Sequence, residues 1–145
     1  MRILVDADAC PVKDIIIKVA KHFNIAVMMF IDTSHVLHDD YSKIVTVGQG
    51  KDSVDMALIN SVEKGDIIIT QDYGLAAMVL AKKANVINQN GLIYTDDNID
   101  ILLLQRHLSQ KARKARKRTR SAKKRTKSDN ELFEKKFIAL CESLI

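Results

Sequence analysis

The chain has 145 residues, a formal charge of +5, 47% hydrophobic residues and no Trp. That is chain enough for one domain and apolar side chains enough for one core, which excludes a disordered or fibrous protein. The longest unbroken apolar run, Ile25 to Ile31, is far too short to cross a bilayer, and Cys10 and Cys141 match no disulfide or zinc spacing, so a cytoplasmic protein with reduced thiols and no membrane partner is expected.

Arg2 to Asp6 reads as a short β-type run, and Asp6 and Asp8 interrupt it before a secretory core could form. Pro11 suits the first turn of a helix, where a missing N–H has no partner in any case; this helix is expected to run to about Asn24 with Ile15, Ile16, Val19, Ala20 and Phe23 buried. Ile25 to Ile31 and Ile44 to Val47 follow as buried strands. Val54, Leu58, Ile59 and Val62 recur at helical spacing up to Gly65, Ile67 to Thr70 is the next strand, and Leu75, Ala76, Val79 and Leu80 mark a third helix. Asn90-Gly91 between Val86-Ile87 and Leu92-Ile93-Tyr94 predicts a tight hairpin.

Ile99 to Leu108 reads as a fourth helix that fades into a basic segment over 109–127. Ser128-Asp129-Asn130-Glu131 has capping-box form and opens a helix over 128–145, with Leu132, Phe133, Phe137, Leu140, Cys141 and Leu144 as its apolar stripe. Alternating strands and helices predict one α/β domain over 1–145: a three-layer α/β/α arrangement with a mostly parallel sheet and a C-terminal helix.

Acids end the predicted strands. Asp6 and Asp8 follow the first, Asp72 follows Ile67 to Thr70, and Asp52 with Asp55 opens the helix after Ile44 to Val47. In open parallel α/β sheets the working edge lies beyond the carboxyl ends of the strands, so these five carboxylates are expected to converge. Packed carboxylates repel one another and call for a compensating cation. Mg²⁺ or Mn²⁺ suits an all-oxygen set, whereas zinc wants His or Cys, and His22, His35, His38 and His107 show no ligand spacing. Such an ion activates water and neutralises charge on a leaving oxygen, which is phosphoryl chemistry without a Ser, Cys or His nucleophile. The competing reading makes Asp8, Asp52 and Asp72 helix caps. It leaves Asp6, a charge ending an apolar strand, unexplained.

Lys13 in the first turn of the first helix faces either the carboxylates, an incoming phosphate or solvent. Cys10 is read as a small packed residue, Tyr73 as a base-stacking or half-buried ring, and His35 and His38 as surface residues. Twelve of the 23 Lys and Arg residues lie between Arg106 and Lys127, where no acid occurs, leaving eleven bases against 18 acids elsewhere. An acidic body thus carries a basic run, including Arg113, Lys114, Arg116, Lys117, Arg118 and Arg120, dense enough to bind polyphosphate by counterion release. The alternative for the run is a solvated linker.

The stretch Val5-Asp6-Ala7-Asp8-Ala9-Cys10-Pro11-Val12, with Asp52-Ser53-Val54-Asp55, Gly65 to Ala76 and Gly91 to Ile99, resembles the bacterial YaiI/YqxD family of uncharacterised proteins from Met1 to about Leu108. The region Arg113 to Lys127 departs from the family in being far more basic. The family is grouped with PIN-like and NYN nucleases. The resemblance therefore implies a PIN-like domain with a metal-dependent ribonuclease site at Asp6, Asp8, Asp52, Asp55 and Asp72.

Together these readings predict a divalent-metal-dependent nuclease acting on RNA, with Asp6, Asp8, Asp55 and Asp72 as the catalytic ligands and Asp52 as a further ligand or cap. One rival is a phosphatase using Asp6-x-Asp8 as nucleophile and acid, although such enzymes follow the pair with Gly or Thr where this chain has Ala9-Cys10-Pro11. The other is an RNA- or ribosome-binding module without catalysis, in which the acids are structural.

Overall fold

The computed structural model describes residues 1–50, 52–116 and 124–145. Alternation along the strands decides the layering. In β1 (Arg2–Asp6), Ile3 and Val5 join one buried cluster and Leu4 the other. The helix α1 (Lys13–Phe23) leads to β2 (Ala26–Asp32), and a loop carries the chain to β3 (Lys43–Val47). Next come α2 (Ser53–Ser61), β4 (Ile67–Ile69), α3 (Tyr73–Ala81), β5 (Asn85–Ile87), β6 (Ile93–Tyr94), α4 (Asp96–Arg116) and α5 (Lys127–Leu144).

The six strands form one sheet in the order β3-β2-β1-β4-β5-β6, parallel except for the β5–β6 hairpin. Ile3, Val5, Met29, Ile67 and Ile69 face α1 and α5, while Leu4, Phe30, Ile68 and Val86 face α2, α3 and the start of α4. The protein is therefore a three-layer α/β/α fold with a mostly parallel sheet and a C-terminal helix, as the alternation of elements predicts. Helix α5 seals the first face with Phe133 and Phe137, both fully buried and stacked at 5.3 Å between ring centroids. No helix among the described residues is long and apolar enough to cross a membrane.

Local signals shifted where a stronger partner was available. Helix α1 starts at Lys13 after a Val12 N-cap, so Pro11 lies in the preceding turn. Helix α2 stops at Ser61, and Gly65 instead supplies a left-handed turn (φ +86°) into β4. The capping box of α5 uses Thr126 and Asp129, two residues ahead of the Ser128 pattern, because Thr126 stands in the extended conformation a cap requires. The expected two-residue hairpin is a longer connection organised by Asn88, whose Oδ1 accepts from the N–H groups of Asn90 and Leu92, both at 2.9 Å. Gly91 in that connection has φ +87°. Helix α4 continues eight residues past Leu108, to Arg116. Leu132 and Leu144, placed on the buried stripe of α5, are exposed.

Two structural cations also fix the fold. Arg2 at the start of β1 grips Asp66 before β4: Asp66 Oδ1 accepts from the Arg2 backbone N–H at 3.0 Å and Oδ2 from Arg2 Nη2 at 2.8 Å. Asp66 also accepts from the Glu63 N–H at 2.9 Å and is only 2% exposed, so this carboxylate is buried with both oxygens satisfied at the amino edge of the sheet. Arg125 ties the hairpin to α5, donating to Asn90 Oδ1, the Gln89 carbonyl and Asn130 Oδ1 at 2.8, 2.6 and 2.6 Å.

Candidate metal centre

The strand order reverses direction between β1 and β4, which lie side by side, so the crevice at their carboxyl ends is where a parallel α/β sheet places its ligand. Asp6 ends β1 at that point and is half-buried. Its Oδ2 accepts from Thr70 Oγ1 at 2.9 Å, and the same hydroxyl accepts from the Asp72 N–H at 3.0 Å. Thr70, buried just after β4, therefore joins the two acids through one hydroxyl.

Burial pushes the Asp6 carboxyl up to about 6, the Thr70 hydrogen bond opposes that rise, and the negative charges of Asp55, Asp72 and Asp8 add to it. Asp55, in the first turn of α2, is also raised, by burial first and then by Asp72 and Asp52. Asp6, Asp55 and Asp72, from three separate segments, thus share one electrostatic neighbourhood. Among the described residues, the cation that pairs with this group is Arg106 on α4, whose Nη1 stands 3.6 Å from Asp72 Oδ1.

The remaining candidates divide. Asp72 is a true N-cap of α3, accepting from the N–H groups of Gly74 and Leu75 at 2.9 and 3.3 Å through Oδ1. Asp52 occupies the N-cap position of α2 in a left-handed conformation (φ 65°), but its side chain makes no capping bond. Asp8 caps nothing, since Val12 precedes α1. It sits in the turn after β1, where Ala9 adopts φ 58°, a conformation that costs a non-glycine residue about 1 kcal/mol or more. Asp8 Oδ1 is shielded from solvent without a hydrogen bond, and His35 Nδ1 lies 3.1 Å from it.

His35 is exposed but not isolated, because it also contacts Asp32 Oδ1 at 3.0 Å, so Asp8, Asp32 and His35 gather at the ends of β1 and β2. Its imidazole is pushed upward by the bond to Asp32 and the charge of Asp8, while Ser34 and His35 hold Asp32 down at about 2. Asp32 went unread in the sequence although it ends an apolar strand just as Asp6 does. Thr70 and Arg106 were missed for a different reason: a lone hydroxyl and one base within a basic run carry no local signal.

Lys13 is committed to the turn, its Nζ donating to the carbonyls of Ala7 and Cys10 at 3.3 and 3.0 Å. Cys10 is buried and its thiol is raised by that burial, which keeps it protonated. Tyr73 is half-buried, edge-on to Tyr94 at 5.7 Å. Arg113 and Lys114 are exposed on α4, and Arg116 ends that helix; Lys117, Arg118 and Arg120 lie outside the described residues.

A family model described as "Uncharacterized BCR, YaiI/YqxD family" matches residues 4–143. A UPF0178 protein of Ruminiclostridium cellulolyticum is 61% identical over 95% of this chain and 90% of its own length. Those of Alkaliphilus oremlandii and Clostridium acetobutylicum are 57% and 48% identical, covering 95% and 94% of this chain and 89% and 94% of their own lengths. No solved structure matches the chain.

Proposed function

We infer that this chain, which belongs to the YaiI/YqxD family, is a divalent-metal-dependent nuclease that hydrolyses phosphodiester bonds in RNA. The observation that carries this reading is the shared neighbourhood of Asp6, Asp55 and Asp72 at the β1–β4 switch point, where burial and their like charges raise both Asp6 and Asp55. The donor set fits a hard cation. Its oxygens are carboxylate oxygens, and Asp8, whose Oδ1 is shielded from solvent, stands with Asp32 and His35 at the adjoining ends of β1 and β2.

Asp6, Asp8, Asp55 and Asp72 would hold Mg²⁺ or Mn²⁺, with Asp52 as a further ligand; when bound, such an ion activates water and offsets charge developing on phosphate oxygens. The chain's own residues do the rest. Thr70 fixes the Asp6 carboxyl and the backbone of Asp72 in one arrangement. The α3 N–H groups hold one oxygen of Asp72, and Arg106 beside it is placed to meet a phosphate. The basic run supplies attraction for a polyanion that the acidic edge alone would repel.

The test is cleavage of a labelled single-stranded RNA by purified protein with Mn²⁺, alongside calorimetric titration of the metal. EDTA should stop cleavage and Asp6→Asn should abolish both cleavage and metal binding. If the wild type binds no divalent ion at millimolar concentration and leaves diverse RNAs intact, the protein is a binding module instead.

A further inference from the structure

A groove of about 550 Å³ opens beside the carboxylates, between the start of α3 and the middle of α4. Its walls bring Asp72 and Tyr73 together with Gln105, Arg106, Ser109 and Arg113. The four α4 residues recur at intervals that keep them on one side of a helix, so they form a single polar track. From Arg106 to Arg113 the helix rises about 10 Å, comparable to about three nucleotides of a stacked strand at about 3.4 Å each.

The chemistry of the track is phosphate recognition with room for a base. Two guanidinium groups offer forked donors to phosphate oxygens, Gln105 and Ser109 add neutral hydrogen-bonding groups between them, and Tyr73 supplies an aromatic ring. The groove also adjoins the reacting edge. Asp72 lies in its wall, and Gln71 lines both this groove and the small pocket beside Asp6 and Thr70.

We propose that this groove is the track for a single-stranded polynucleotide, with Arg106 and Arg113 binding phosphates on one side of the scissile position and Tyr73 stacking on a base. The assignment rests on the nuclease reading for its meaning but not for its measurement. Arg106 then changes partner: it neutralises Asp72 in the free protein and a substrate phosphate in the complex.

The experiment is fluorescence anisotropy of a labelled single-stranded dodecamer, in RNA and DNA form, with EDTA present so that no cleavage or metal enters. Arg106→Ala/Arg113→Ala should weaken binding of the dodecamer at least tenfold and flatten the slope of log affinity against log salt by about 1.4, the release expected from two phosphate contacts on a single strand. Lys64→Ala/Lys135→Ala removes the same charge from exposed positions elsewhere and should change affinity less than twofold. Tyr73→Phe should bind as the wild type does and Tyr73→Ala more weakly, with circular dichroism confirming that each variant is folded. Equal losses from the two double variants, or a duplex that competes as well as the single strand, would overturn the proposal. Because metal and turnover are absent, that result would leave the nuclease reading to stand or fall on its own assay.

Discussion

Removing the charge of Asp6 should stabilise the metal-free protein, because burial and the neighbouring acids both disfavour that charge. A carboxyl raised from 3.8 to about 6 favours its neutral form by about 3 kcal/mol, taking about 1.4 kcal/mol per tenfold change in proton affinity. Partial solvent access at the sheet edge relaxes this to about 2 kcal/mol. Below the unfolded value the group is neutral in both states and costs nothing; between the two values the folded state alone takes the proton; above about 6 the full cost applies. Metal-free wild type should therefore lose stability as the pH rises from 4 through 6, and Asp6→Asn should not. For a domain of this size the variant should melt about 6 °C above wild type at pH 7.5 in EDTA and close to it at pH 4. Scanning calorimetry at both pH values decides the matter. A variant that melts below wild type at pH 7.5, or shows the same offset at pH 4, would refute the idea that Asp6 sits in an uncompensated cluster. Added Mn²⁺ should close the gap at pH 7.5 by stabilising only the wild type.

Asp66→Asn should act in the opposite direction, lowering stability by about 3 kcal/mol because it leaves Arg2 without its buried partner, and a wild-type melting temperature would show the pair to be dispensable. Arg125→Ala should cost about 2 kcal/mol by releasing the hairpin from the start of α5, read as a lowered urea midpoint with unchanged slope; an unchanged midpoint would make Arg125 one more surface base.

Most of the fold was legible because apolar periodicity carries it. Ile67 to Ile69 is buried on both faces and could scarcely be anything but a central strand, and the acids after β1 and β4 fell at the edge the topology requires. What failed were signals settled by a few hydrogen bonds. Ser128 is the stronger cap by residue type, yet the backbone before α5 selected the earlier Thr126. The basic run misled by uniformity: Arg125 reads as one cation among twelve, yet it makes three side-chain hydrogen bonds to the body. Asp72 met both readings at once, since it caps α3 with one oxygen and belongs to the carboxylate group as well.

The two ends of the β1–β4 pair put the same problem to the chain and answer it differently. At the amino end Asp66 is buried, and Arg2 from the neighbouring strand neutralises it while two backbone N–H groups take part in satisfying its oxygens. At the carboxyl end Asp6 receives a neutral hydroxyl from Thr70 and is surrounded by further acids, and among the described residues the guanidinium paired there, that of Arg106, is set against Asp72 rather than Asp6. A fold able to place an arginine on one buried carboxylate could have placed one on the other at little cost in topology, and the protein would have been more stable for it. An unneutralised carboxylate at a topological switch point is the arrangement that leaves room for a cation from outside, and the arginine-lined groove beside it leaves room for the anion that such a cation would act upon.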